Sequence, residues 1–143
     1  METGMKHLHS TLAYVLFAGL IIAFLYVLVA AIQKKPYNRK IALIGLIVAH
    51  LQLLIGLVTY FVSPYGFKRF GDFGAVMKDG IGRLYILEHP LMMIAAIILI
   101  TVGYSKAKRL ESPAQQNKTV AIYYGIALVL IISRIPWHAW PAI

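Results

Sequence analysis

Apolar residues run almost unbroken through four stretches of the chain, and polar residues collect between them. The stretches are residues 8–32, 41–62, 84–104 and 119–137. Crossing about 30 Å of hydrocarbon takes about 20 mostly apolar residues in a helix. The first three stretches meet that length, and the fourth is the shortest because Pro136 stops it. The first run is too long for the apolar core of a signal peptide, and no small-residue cleavage site follows it. The pattern predicts an all-α membrane protein of one domain, residues 1–143. Its four transmembrane helices, joined by short connections, pack most simply as an up-down-up-down bundle.

Composition agrees: 60% of the residues are hydrophobic and only 13% are charged, where a soluble domain carries about a quarter charged. There is no cysteine. Disulfides, thiolate zinc sites, iron–sulfur clusters and covalently attached haem are therefore excluded. The formal charge of +9 raises the question of nucleic acid, but the positions of the basic residues answer it. Lys34, Lys35, Arg39, Lys40, Lys106, Lys108, Arg109 and Lys118 lie in the first and third connections, facing the single acid Glu111. Six further cations, partly balanced by Glu2, Asp72 and Asp79, lie on the other side. Basic residues that flank spans this way orient a protein in the membrane, with the richer loops cytoplasmic. Both termini and the long second connection are then expected on the outer face of a bacterial cytoplasmic membrane. The lipid bilayer accounts for the charge, and nucleic acid is not an expected partner. The second connection is rich in glycine and aromatic residues, and with Trp137 and Trp140 it reads as an interfacial lid.

Residues 87–93, LEHPLMM, place Glu88, His89 and Pro90 inside the third apolar stretch. Pro90 cannot donate to the carbonyl of Ile86, which must find another donor. His89 lies about 8 Å inside its span, or about 14 Å if the span begins near Gly80, and His50 lies about 18 Å inside the second. His7 and His9 stand at the outer end of the first stretch and His138 at the outer end of the fourth. Ionisable residues at depth usually face a bundle interior. One buried histidine makes a hydrogen bond and nothing more. Two on different helices at matching depth point to a shared ligand, and imidazole is a good metal ligand. Depth favours His50 with His89, whereas a bundle that ligates across its diagonal would use His9 with His89. Both pairs stay open, and both contain His89.

Room for a bulky group is also present. Gly45, Ala49, Gln52, Gly56, Thr59 and Ser63 recur at helical spacing as one small or polar stripe. Such a stripe serves close helix packing or a porphyrin pocket equally well. The propionates of a haem would call for cations, for which Arg83 and Arg134 are candidates. Arg134 is alternatively expected to pair with Glu88 across the third and fourth spans. Copper is the competing metal, through Met1, Met5, His7, His9 and the methionines Met92 and Met93.

HLHS (7–10), HLQLLIGLVTYFVSP (50–64), EHPLMM (88–93), VGYSKAKR (102–109) and IPW (135–137) together resemble the small four-helix bacterial membrane proteins labelled cytochrome b-like. The chain is more distantly similar to one half of a haem A synthase. That signature has a glutamate and an arginine around a histidine pair, and this chain has Lys6 and Ser10 at those places. The resemblance implies non-covalently held haem b and electron transfer to or from a quinone or a redox partner protein. Tyr60, Tyr85 and Gln52 are the polar residues available for a quinone. The alternatives are a membrane enzyme or assembly factor in haem or copper handling, and a cofactor-free structural subunit of a respiratory complex.

Overall fold

The computed structural model of the chain describes residues 2–138 and 140. Helix α1 spans Glu2–Ile32 and α2 spans Arg39–Val62. A 3₁₀ turn at Phe67–Asp72 and the short helices α3 (Phe73–Lys78) and α4 (Gly80–Arg83) form the long connection. A π-helical turn at Leu84–Glu88 then leads into α5 (His89–Arg109), and α6 spans Pro113–Ser133. No strand occurs among the described residues. Four helical stretches are long and apolar enough to cross a membrane: Thr3–Ile32, Arg39–Val62, Gly80–Arg109 and Pro113–Ser133. The chain is a multi-pass, all-α membrane bundle.

The ends of the helices have local causes. At the end of α1, Lys34 takes a left-handed φ of 57°, and the N–H of Lys35 reaches back to the carbonyl of Ala30 at 2.8 Å. That is a Schellman closure, usually built with glycine. The Asn38 side chain caps α2 by accepting from the N–H groups of Lys40 and Ile41, at 3.1 and 3.4 Å. Ser112 caps α6, with Pro113 in the first turn, where its missing N–H costs nothing.

The first span begins at Thr3 and not near residue 8, and two further spans differ from the sequence expectation. The third is longer than 84–104, because Asp79 caps the chain through Gly82 N–H at 3.2 Å and starts the helix at Gly80. The fourth sits earlier than 119–137. Its polar first turns are stabilised by neighbouring helix ends: Gln116 donates to the carbonyl of Ala107 and Asn117 to that of Lys35, both at 3.0 Å. Its far end stops at Ser133, since Pro136 disfavours helix at the residue before it and cannot donate backward.

Each long helix packs on two neighbours, in the cyclic order α1, α2, α5, α6. The diagonal pairs are therefore α1 with α5 and α2 with α6, as an up-down-up-down bundle requires. The two halves of the bundle differ. The half near the two short basic connections is filled by Leu20, Ala23, Val27, Ile100, Val120 and Tyr124, all fully buried. There the Tyr124 hydroxyl donates to the carbonyl of Ala42 at 2.7 Å. The half nearer the termini does not close, and a cavity occupies it.

Candidate functional site: a two-histidine cavity

The cavity has a volume of about 690 Å³ and is walled by all four long helices. That is a usual size for a small-molecule or cofactor pocket. The predicted stripe on α2 forms one wall, through Ala49, Gln52, Gly56, Thr59 and Ser63. Gly45, one turn further along, lies below the cavity against the ring of Tyr124. Met93 lines the opposite wall with His89, while Met92 does not.

His9 from α1 and His89 from α5 meet in this cavity across the diagonal. Their ring centres are 6.2 Å apart and the rings nearly perpendicular, at 83°. The Nδ1 of His89 lies 2.8 Å from the carbonyl oxygen of Arg134. A carbonyl only accepts, so Nδ1 carries the proton and Nε2 keeps its lone pair. Arg134 offers that carbonyl because α6 ends one residue earlier and leaves its last carbonyls without helical donors. On the other side, the Gln52 amide donates to the backbone carbonyl of His9 at 2.7 Å. Two buried polar atoms beside it have no partner among the described residues: His9 Nδ1 and Gln52 Oε1. They are a potential donor and an acceptor on residues already joined. Gly56 faces the His9 ring, where an added Cβ would stand 3.1 Å from its Cε1. A side chain at residue 56 would crowd the imidazole.

The sequence around Pro90 explains the position of His89. The proline withdraws a donor from Ile86, and the Tyr60 hydroxyl supplies it, at 2.7 Å. The N–H of His89 bonds to the carbonyl of Leu84, five residues back, which widens the turn. The expected donor for Ile86 is thus a tyrosine on α2, which sequence spacing alone does not identify. Tyr60→Phe removes that hydroxyl and leaves a buried carbonyl unpaired. It is expected to lower stability by about 1–2 kcal/mol, measured by thermal unfolding in detergent.

The widened turn also overturns one expectation. Glu88 pairs with Arg83, Oε2 to Nε at 2.9 Å, and not with Arg134. Five residues apart would lie on different faces of an α-helix, but a π turn brings them to one face. Arg83 additionally donates to the carbonyl of Met77 at 3.0 Å. The Arg134 guanidinium folds onto the carbonyl of Ser133 at 2.9 Å. None of Arg83, Glu88 and Arg134 lines the cavity; Lys6 does.

His50 is not part of this site either. It is exposed, its Nδ1 donates to the carbonyl of Leu46 at 2.8 Å, and Thr101 Oγ1 lies 3.5 Å from its Nε2. Its depth is suitable, but its direction is not. One residue beyond Ala49, it is turned about 100° off the stripe that faces the cavity.

At the rim, the Tyr85 hydroxyl and His138 Nε2 are 3.0 Å apart. The segment after α6 crosses toward α1, where Trp140 donates to the carbonyl of Ser10 at 3.3 Å and stacks on Phe17. Phe67, Phe70 and Phe73 pack on one another in the long connection. Tyr60, Tyr85 and Gln52 all line the cavity; the hydroxyls of the two tyrosines and the Nε2 of Gln52 are already engaged, and only Gln52 Oε1 is left over. Met1 of the alternative copper set lies outside the described residues, and Met5 does not line the cavity.

The donor set fits one class of group better than another. Among the described residues there is no cluster of three or more His, Asp or Glu side chains. A zinc or copper ion held by side chains alone usually takes three or four ligands. A haem iron brings four porphyrin nitrogens and takes its axial ligands from the protein. His9 and His89 are the two imidazoles of the cavity that would be available to such a group. No family model, curated protein or solved structure matches the chain significantly.

Proposed function

We propose that the protein is a membrane b-type cytochrome that holds haem between His9 and His89. The observation that carries this reading is the pair of imidazoles meeting across the bundle diagonal inside one large cavity. The haem, when bound, would supply one-electron chemistry between ferrous and ferric iron.

The chain's own residues do the rest. The Arg134 carbonyl fixes the tautomer of His89 and presents its Nε2 to the cavity. Gln52 holds the backbone of His9, and its unpartnered Oε1 is an acceptor on the residue that already bonds His9. Gly56 leaves the space that the His9 ring needs. Leu16, Phe17, Ile97 and Ile131 make the lower walls apolar, which excludes water. Lys6 and His7 at the rim are the groups placed to meet propionates. Arg83 is a poorer choice than the sequence implied, because Glu88 and the carbonyl of Met77 already occupy it. Following the charge bias, the basic connections would face the cytoplasm and the cavity would lie in the outer half of the membrane.

The test is an absorption spectrum of protein purified in mild detergent, before and after dithionite, with metal analysis. A Soret band and a sharpened α band on reduction are expected, with iron as the bound metal. Copper without those bands would replace the reading with metal handling. A colourless, metal-free protein after growth with haem supplied would leave the structural-subunit reading.

A further inference from the structure

At the opposite end of the bundle, Tyr26 of α1, the connection to α2 and the first residues of α2 line a second, open hollow of about 550 Å³. Its lining includes Tyr26, Lys35, Tyr37, Asn38, Arg39 and Lys40. We propose that this hollow is a binding site for the headgroup of an anionic phospholipid.

Charge is the first ground. Three of the lining residues are cationic and none is acidic. Among the described residues the ion pairs are Arg69–Asp72 and Arg83–Glu88, both at the other end of the bundle. Lys35, Arg39 and Lys40 therefore have no acidic partner among those residues. Arg39 and Lys40 also stand in the first turn of α2, which has no acid. The helix dipole places partial positive charge there, so cations at that end are disfavoured unless an anion joins them.

The second ground is that the scaffold is held in place. The N–H of Lys35 is bonded to Ala30 and its carbonyl to Asn117. The Asn38 side chain caps the N–H groups of Lys40 and Ile41. The charged side chains thus extend from a fixed backbone, which lowers the ordering cost of binding.

The third ground selects a lipid over a free phosphate. Tyr26 belongs to the membrane-spanning part of α1, six residues before its end, which is about 9 Å inside. It is 42% exposed within that span. A ligand filling the hollow meets cations from the connection and an aromatic side chain from within the span. An amphiphile with an anionic head satisfies both, and interfacial basic pockets of this kind suit anionic headgroups.

The experiment measures retention of phosphatidylglycerol and phosphatidylcholine by detergent-purified full-length protein, using native mass spectrometry. Phosphatidylglycerol is expected to be retained preferentially. Arg39→Gln/Lys40→Gln is expected to weaken that retention by about fivefold for each cation removed. Lys108→Ala/Arg109→Ala, which removes equal charge from the other basic connection, is expected to leave it unchanged. Circular dichroism checks that both variants keep their helices; if the glutamine pair does not, Lys35→Gln replaces it. Equal losses in the two double variants would show a diffuse field and overturn the proposal. No preference for phosphatidylglycerol would also overturn it. Displacement of the lipid by millimolar inorganic phosphate would show that the ligand is a free phosphate, which overturns the lipid assignment. The hollow lies at the far end from the histidines, so none of these outcomes bears on the haem reading.

Discussion

His89→Ala is expected to abolish the low-spin haem spectrum while leaving the helix content of the protein intact. The imidazole is the one group on α5 that presents a free nitrogen to the cavity, because its other nitrogen is committed to Arg134. Alanine removes that ligand and leaves His9 without a counterpart. The backbone should tolerate the change, since the turn around residue 89 is held by Tyr60 on the Ile86 carbonyl and by Arg83 with Glu88. His9→Ala is expected to behave alike. His50→Ala, on the exposed face of α2, is expected to keep the wild-type spectrum. Added imidazole should partly restore the low-spin bands of the His89→Ala protein by entering the space the ring vacated. A His89→Ala protein with an unaltered spectrum would remove the basis for the two-histidine assignment. Circular dichroism on the same samples separates ligand loss from unfolding.

The contrast between His50 and His89 marks what could be read from the sequence. Hydrophobic length located the four spans, and helical periodicity grouped Ala49, Gln52 and Gly56 on one face, where the cavity is now found. The same periodicity places His50 beside that face and not on it. Depth was the weaker guide, since it takes no account of direction around the helix. The diagonal placement of α1 and α5 follows from the cyclic packing order, which brings the His9 ring close to that of His89. The Arg83–Glu88 pair was hidden for a different reason. It depends on a π turn, and a pattern of 3.6 residues per turn cannot represent one. The charge rule likewise separated basic from mixed connections, but it could not show that Lys35, Arg39 and Lys40 line a hollow. That depends on the Lys34 turn and the Asn38 cap, which set the direction of the connecting backbone.

Gly103→Ala is expected to be the most damaging single-methyl change in the closely packed half. An added Cβ on Gly103 would collide with the Cβ of Tyr123 and stand 2.9 Å from its Cγ. Those atoms sit at the base of the side chain, so rotating the ring gives no relief. α5 and α6 would have to separate, and α6 also carries Tyr124, whose hydroxyl reaches across the bundle to Ala42. Overpacking of this kind costs about 1–3 kcal/mol. For a chain of this size that corresponds to a fall in apparent Tm of roughly 3–10 °C. Gly71→Ala and Gly74→Ala serve as controls, because nothing lies within 4 Å of a Cβ at either position. They are expected to shift stability by less than about 0.5 kcal/mol. Thermal unfolding of the three variants in one detergent checks the ranking, and a Gly103→Ala protein as stable as the controls would mean that α5 and α6 are not packed this closely. The damage should also reach the site indirectly. Arg134, whose carbonyl orients His89, follows directly on the end of α6, so a displaced α6 is expected to weaken haem retention as well as stability.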